Sequence, residues 1–167
     1  MRTKSYSLLV VALCCAFAGC SSKDTSDSAK NSASSEAAKP SIKTFELTAG
    51  DNMKFNMTEI AVAPGEKVKI TLANVGSMPK EAMAHNWILL KAGSDPQAYA
   101  NSAVTAKAEG YQPASLADQV IAVIPLQGPK QTGEITFTAP TQPGEYPFLC
   151  SFPAHYIAGM QGKLVVR

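Results

Sequence analysis

Val68-Lys69-Ile70-Thr71-Leu72 sets an apolar side chain at every second position, with a charged or hydroxyl residue between. A period of two is the signature of a strand that turns one face to a core and the other to water. Working outward, Ile42 to Leu47 carries a similar pattern, and further strands are expected at 86–91, 119–126, 134–138, 145–150 and 163–167. Pro64-Gly65-Glu66, Gly128-Pro129, Pro143-Gly144-Glu145 and Gly162 punctuate them as turns. Seven or eight short strands at this spacing describe an all-β sandwich or barrel. One segment breaks the rhythm. Asp95 can cap a helix, Pro96 suits its first position, alanines favour it and Gly110 can close it, so a helical flap is expected from 96 to 109.

The chain has 167 residues, and its first forty do not read as a folded core. Arg2 and Lys4 precede the apolar run Leu8 to Gly19, which is too short to span a bilayer and reads as an export signal. Ala18-Gly19-Cys20 resembles the lipobox of bacterial lipoproteins, although Phe17 stands where Leu is commoner. That resemblance implies a signal peptide over 1–19, cleavage before Cys20 and lipidation of its thiol, whereas an ordinary signal peptide cut nearby is the competing reading. From 21 to 40 the composition is Ser, Ala, Lys, Asp and Glu without a large apolar residue, which suits a flexible tether of about 25 Å root-mean-square span. The remaining segment, 41–167, has the length of one domain. Formal charge is +2 and falls to zero once Arg2 and Lys4 leave with the leader, so nucleic acid is not an expected partner.

Of four cysteines, Cys14 and Cys15 belong to the leader and Cys20 to the anchor, leaving Cys150 alone in the folded part. An exported lone thiol is buried, paired between chains or placed on a metal. The sequence around it favours the metal. Cys150-Ser151-Phe152-Pro153-Ala154-His155-Tyr156-Ile157-Ala158-Gly159-Met160 spaces a thiol, an imidazole and a thioether five residues apart on one loop. Thiolate and imidazole in a trigonal set, with a weak and distant thioether, is the donor set of blue copper. The only other histidine is His85, at the start of Asn86-Trp87-Ile88-Leu89-Leu90, and a sandwich brings such a strand start beside a loop joining its last two strands. Each residue alone has an ordinary reading as core or surface; the sole core Cys, both His and a Met in this order do not. Zinc also accepts Cys and His but rarely recruits a thioether, and a binuclear copper site would require a second cysteine.

From Ile42 to Arg167 the chain resembles blue-copper proteins of the azurin and auracyanin type, the cupredoxin family. Ala84-His85-Asn86-Trp87 and the Cys150-x4-His155 spacing carry the resemblance. Four residues separate His155 from Met160 where azurins have three, a spacing similar to that of auracyanins, and Ala84 stands where azurins have glycine. The resemblance implies a cupredoxin-like Greek-key β-sandwich with one type 1 copper ion on His85, Cys150, His155 and Met160. It also implies a hydrogen bond from Asn86 to the copper loop and backbone N–H donors near Phe152 facing the Cys150 sulfur. Ala84 would lie next to the ligands.

The function expected is one-electron transfer between redox proteins, such as cytochromes or membrane electron-transfer complexes, by a monomer held to a bacterial membrane and facing the periplasm or exterior. Electrons would pass through an exposed edge of His155, amid an apolar patch of Phe152, Pro153, Ile157 and Met83. Copper storage or delivery is the alternative. A thiol enzyme using Cys150 with a histidine base lacks an evident third, orienting group; no enzyme activity is expected.

Overall fold

The computed structural model describes residues 41–167. Eight strands follow in order: β1 Lys43–Ala49, β2 Glu59–Val62, β3 Lys67–Asn74, β4 His85–Leu90, β5 Val120–Gln127, β6 Thr132–Thr138, β7 Gly144–Leu149 and β8 Gln161–Val166. They form two sheets, β1-β3-β6 and β2-β8-β7-β4-β5. The pairings β1–β3 and β2–β8 are parallel, while β3–β6, β4–β5, β4–β7 and β7–β8 are antiparallel. This is a Greek-key β-sandwich of the cupredoxin type. Strand β2 is the element the alternation pattern missed, because Glu59-Ile60-Ala61-Val62 offers only four residues.

Alternation governs burial where one face is wet. In β3, Val68, Ile70, Leu72 and Asn74 are buried and the residues between them are partly exposed. Val68, Ile70 and Leu72 meet Leu47, Trp87, Leu89, Ile124, Phe148 and Leu164 in the main core. Close approach fixes one glycine here: a Cβ on Gly162 would collide with the Phe148 ring and the Thr58 carbonyl.

Strand β4 is buried at all six positions. Its odd-numbered apolar residues, Trp87 and Leu89, join the main core, whereas Ile88 and Leu90 pack with Tyr99 and Leu149 in a second cluster. The flap provides that cover. Its helix, α2, spans Pro96–Ala103 and buries Tyr99 and Ala103, with Asp95 Oδ1 accepting from the N–H groups of Gln97 and Ala98. The expected continuation to 109 does not form. After Ala103 the chain passes through Val104 and a 3-10 turn at Lys107–Glu109, and Gly110, at φ 66°, closes that turn in the left-handed region. A second 3-10 segment, Ala114–Gln119, leads into β5. A short helix, α1 (Lys80–Met83), precedes β4. The leader, Cys20 and the 20–40 tether lie outside the described residues.

Candidate metal centre

His85 opens β4, and Cys150 follows the last residue of β7, the strand paired with β4. Ile88 is opposite Leu149 in that pairing, so the start of β4 and the end of β7 are adjacent at one end of the sandwich. The β4–β5 register slips between His85 and Trp87. Such an irregularity re-aims side chains at a strand end. His85 and Asn86 both use it: the imidazole lies with Cys150 and His155, and the amide reaches Ser151.

The potential ligand atoms of His85, Cys150 and His155 all lie within 4.8 Å of one another, and the three residues are buried. Cys150 Sγ is 3.4 Å from His155 Nδ1, and the two imidazole rings are tilted with centroids 4.9 Å apart. Among the described residues neither ring nitrogen of His85 has a partner at full hydrogen-bond geometry, although both are buried. A neutral imidazole carries one lone pair and one N–H: the Gly50 carbonyl, which faces His85, is the acceptor at hand for the N–H, and a buried lone pair left over is costly unless another group takes it. A thiol and two imidazoles converging there fit copper by softness and by number.

The loop from Cys150 to Met160 is held from within. His155 N–H donates to Phe152 O, Ala158 N–H to Ala154 O, Gly159 N–H to Tyr156 O and Met160 N–H to His155 O. Cys150 N–H donates to Met160 O at 3.0 Å, which brings the backbone of Met160 to that of Cys150. The Met160 side chain is fully buried among the main-core residues, as is Ala84 immediately before His85. Tight winding requires left-handed backbone at Ala154, φ 70°, and at Gly159, φ 92°.

Asn86 clasps the start of the loop: its Oδ1 accepts from Ser151 N–H and its Nδ2 donates to Ser151 Oγ, each at 2.8 Å. Ser151 Oγ in turn donates to the Tyr111 carbonyl. The Tyr111 ring packs as well, meeting Phe152 edge-on at 5.1 Å. The sequence offered no signal for Ser151, Tyr111 or the turn after β1. That turn brings the Gly50 carbonyl and the Asp51 carboxylate towards His85.

Burial sets the protonation of the free donors. It pushes the Cys150 thiol up to about 12, against a smaller opposite pull from the N–H groups of Asn86 and Phe152. It lowers the His155 imidazole to about 4, helped by the neighbouring His85. It lowers His85 as well, with Gly50 and Asp51 opposing. At neutral pH the site therefore presents two neutral imidazoles and a protonated thiol.

One expectation is corrected. His155 does not present an exposed edge: only 2 % of its surface is accessible, with the Phe152 ring tilted against it at a centroid distance of 4.7 Å. Phe152 is itself buried. Among the residues expected to surround it, Ile157 is the one fully turned to solvent, at 77 %; Pro153 and Met83 are half-buried.

Comparison with known proteins agrees with this arrangement. Residues 43–167 match the family model described as copper binding proteins, plastocyanin/azurin family. Auracyanin-A of Chloroflexus aurantiacus is 39% identical over 127 residues, covering 74% of this chain and 74% of that protein. Azurin of Achromobacter denitrificans is 35% identical over 122 residues, covering 71% of this chain and 80% of that one. The solved structure of auracyanin A, a "blue" copper protein from that green thermophilic photosynthetic bacterium, superposes with a TM-score of 0.66 at 38% identity. The superposition covers 76% of this chain and 100% of that one. The chain belongs to the plastocyanin/azurin family of blue-copper proteins, the cupredoxins, and copper is its metal.

Proposed function

We propose that this protein shuttles single electrons between redox proteins of a bacterial cell envelope, with one copper ion held by His85, Cys150, His155 and Met160. In this reading Cys20 carries the lipid that fixes it to a membrane, residues 20–40 are the tether, and 41–167 is the working domain. The observation that carries the ligand assignment is the buried triangle of His85, Cys150 and His155, whose donor atoms face one another.

Copper bound there supplies a one-electron couple. The residues around it supply rigidity and a dry setting. Cys150, Met160 and both histidines are almost wholly withdrawn from water, and the Asn86–Ser151–Tyr111 chain of hydrogen bonds ties the ligand loop to β4 and to the flap. Fixed donors cost little reorganisation when charge changes, which favours electron exchange over release of the ion. Cys150 Sγ holds its proton in the metal-free protein and gives it up on metal binding. Near-neutral charge leaves encounters with partners to a small apolar surface, for which Ile157 and the half-buried Pro153 and Met83 are suited.

Voltammetry of the copper-loaded protein tests this against storage or delivery. A reversible one-electron wave with copper retained over repeated cycles is expected; loss of copper on reduction would favour delivery.

A further inference from the structure

The turn after β1, Gly50 to Lys54, touches the metal centre from two sides. Met53 N–H donates to Gly50 O with Met53 in the left-handed region, φ 54°, and Lys54 N–H donates to Asn52 Oδ1. Asp51 accepts from the N–H and Oγ of Ser77, which anchors the turn to the segment after β3. At one end the Gly50 carbonyl faces His85. At the other, Lys54 Nζ crosses to the ligand loop and donates to the carbonyl of Ala158, two residues before Met160.

The loop is shaped to receive that ammonium group. Gly159 follows the accepting carbonyl at φ 92°, and a Cβ at Gly159 would sit 2.6 Å from Lys54 Nζ. The carbonyl lies at the tip of the stretch whose length sets the distance between His155 and Met160. Beneath the turn, Phe55 is buried edge-on against Phe148, so the backbone carrying Lys54 is fixed to the core.

We propose that Lys54 is a positioning residue. Its ammonium clamps the Ala158–Met160 turn onto the β1–β2 segment and so fixes where the Met160 side chain stands relative to Cys150 and His155. The inference rests on the reading of Met160 as a ligand only for its consequence at copper; the clamp itself is a property of the metal-free chain. A charged donor on a carbonyl that no other group among the described residues supports restrains the local opening of a loop. Removing it should loosen the three N–H groups that the turn protects, those of Ala158, Gly159 and Met160.

The test uses the full chain as wild type, Lys54→Met and Lys54→Arg. Amide hydrogen exchange is measured without metal, and the visible spectrum with Cu(II). Exchange at 158–160 should quicken about tenfold in Lys54→Met, with the remaining β-sandwich unchanged, and return towards wild type in Lys54→Arg. The intensity ratio of the visible bands should change in Lys54→Met but not when Met160→Leu is already present, because the clamp then has no thioether to place. Unchanged exchange at 158–160 in Lys54→Met overturns the proposal. So does a spectral change of equal size in the Met160→Leu background, which would make Lys54 a distant charge and no more. If no form shows a visible band, the copper reading fails while the exchange result still decides whether Lys54 clamps the loop.

Discussion

Asn86 and Ser151, 65 positions apart, are joined twice through one side chain, amide oxygen to backbone N–H and amide nitrogen to hydroxyl, with both residues buried. This double bond of contacts is what makes the start of β4 and the start of the ligand loop a single rigid piece. Replacing Asn86 with Ala leaves the Ser151 N–H without a partner in a site that water does not reach. Unfolding should therefore become easier by about 3 kcal/mol. Thermal or denaturant unfolding of the metal-free protein measures it, and a cost below about 0.5 kcal/mol would mean that solvent replaces the amide.

In the metal-free protein, stability should fall on the acid side. The folded-state pKa of His155 lies at about 4 against 6.5 for the free imidazole, and that of His85 is also lowered. The stabilisation from keeping the rings neutral is present above 6.5 and is lost as pH falls through 4. For His155, buried and lowered to about 4, this is worth about 3 kcal/mol. Melting temperature followed from pH 8 to pH 4 should decline below about 6.5. Bound copper should suppress the decline until it is displaced by protons. A flat profile without metal would contradict the burial of these rings.

Much of this centre was legible before any fold was known, and the reason is chemical scarcity. One core cysteine, two histidines and a methionine at loop spacing leave little freedom for a metal reading. Strand alternation was readable in β3, where one face is wet, but not in the four residues of β2. Alanines between 98 and 108 favour a longer helix locally, but only Pro96–Ala103 forms, the turn that packs Tyr99 beside Ile88, Leu90 and Leu149 and puts Ala103 in the main core. The roles of Ser151 and Lys54 were invisible for a different reason. A serine hydroxyl or a lysine ammonium acquires meaning only from what faces it, and their partners are 65 and 104 positions away.

Met160 as a weak axial donor and Met160 as a core side chain predict different potentials. Cu(II) gains more than Cu(I) from an added donor, so Met160→Leu should raise the reduction potential and Met160→Gln, with its harder oxygen, should lower it. A shift of about 59 mV is a tenfold change in a one-electron equilibrium, and each exchange should approach that size. Voltammetry at one pH should give the order Leu above wild type above Gln; any other order counts against the thioether as a ligand.

The lipid anchor proposed from Ala18-Gly19-Cys20 predicts that Cys20→Ser releases the protein from membranes while copper binding is unchanged. Membrane fractionation of cells expressing both forms reads the first effect, and copper content of the released form the second. Equal membrane retention would remove the lipoprotein assignment.

The proposed centre stands on the thiolate of Cys150 sharing one copper ion with His85 and His155, whose ligand atoms lie within 4.8 Å of one another. Adding Cu(II) to the purified metal-free protein and recording its visible spectrum, beside Cys150→Ser, tests that most directly. One equivalent should produce an intense thiolate-to-copper band that saturates at one copper per chain. The serine variant should lack the band, since a hydroxyl stays protonated and is a harder donor. A colourless wild type, or an equally intense band in Cys150→Ser, would contradict the account.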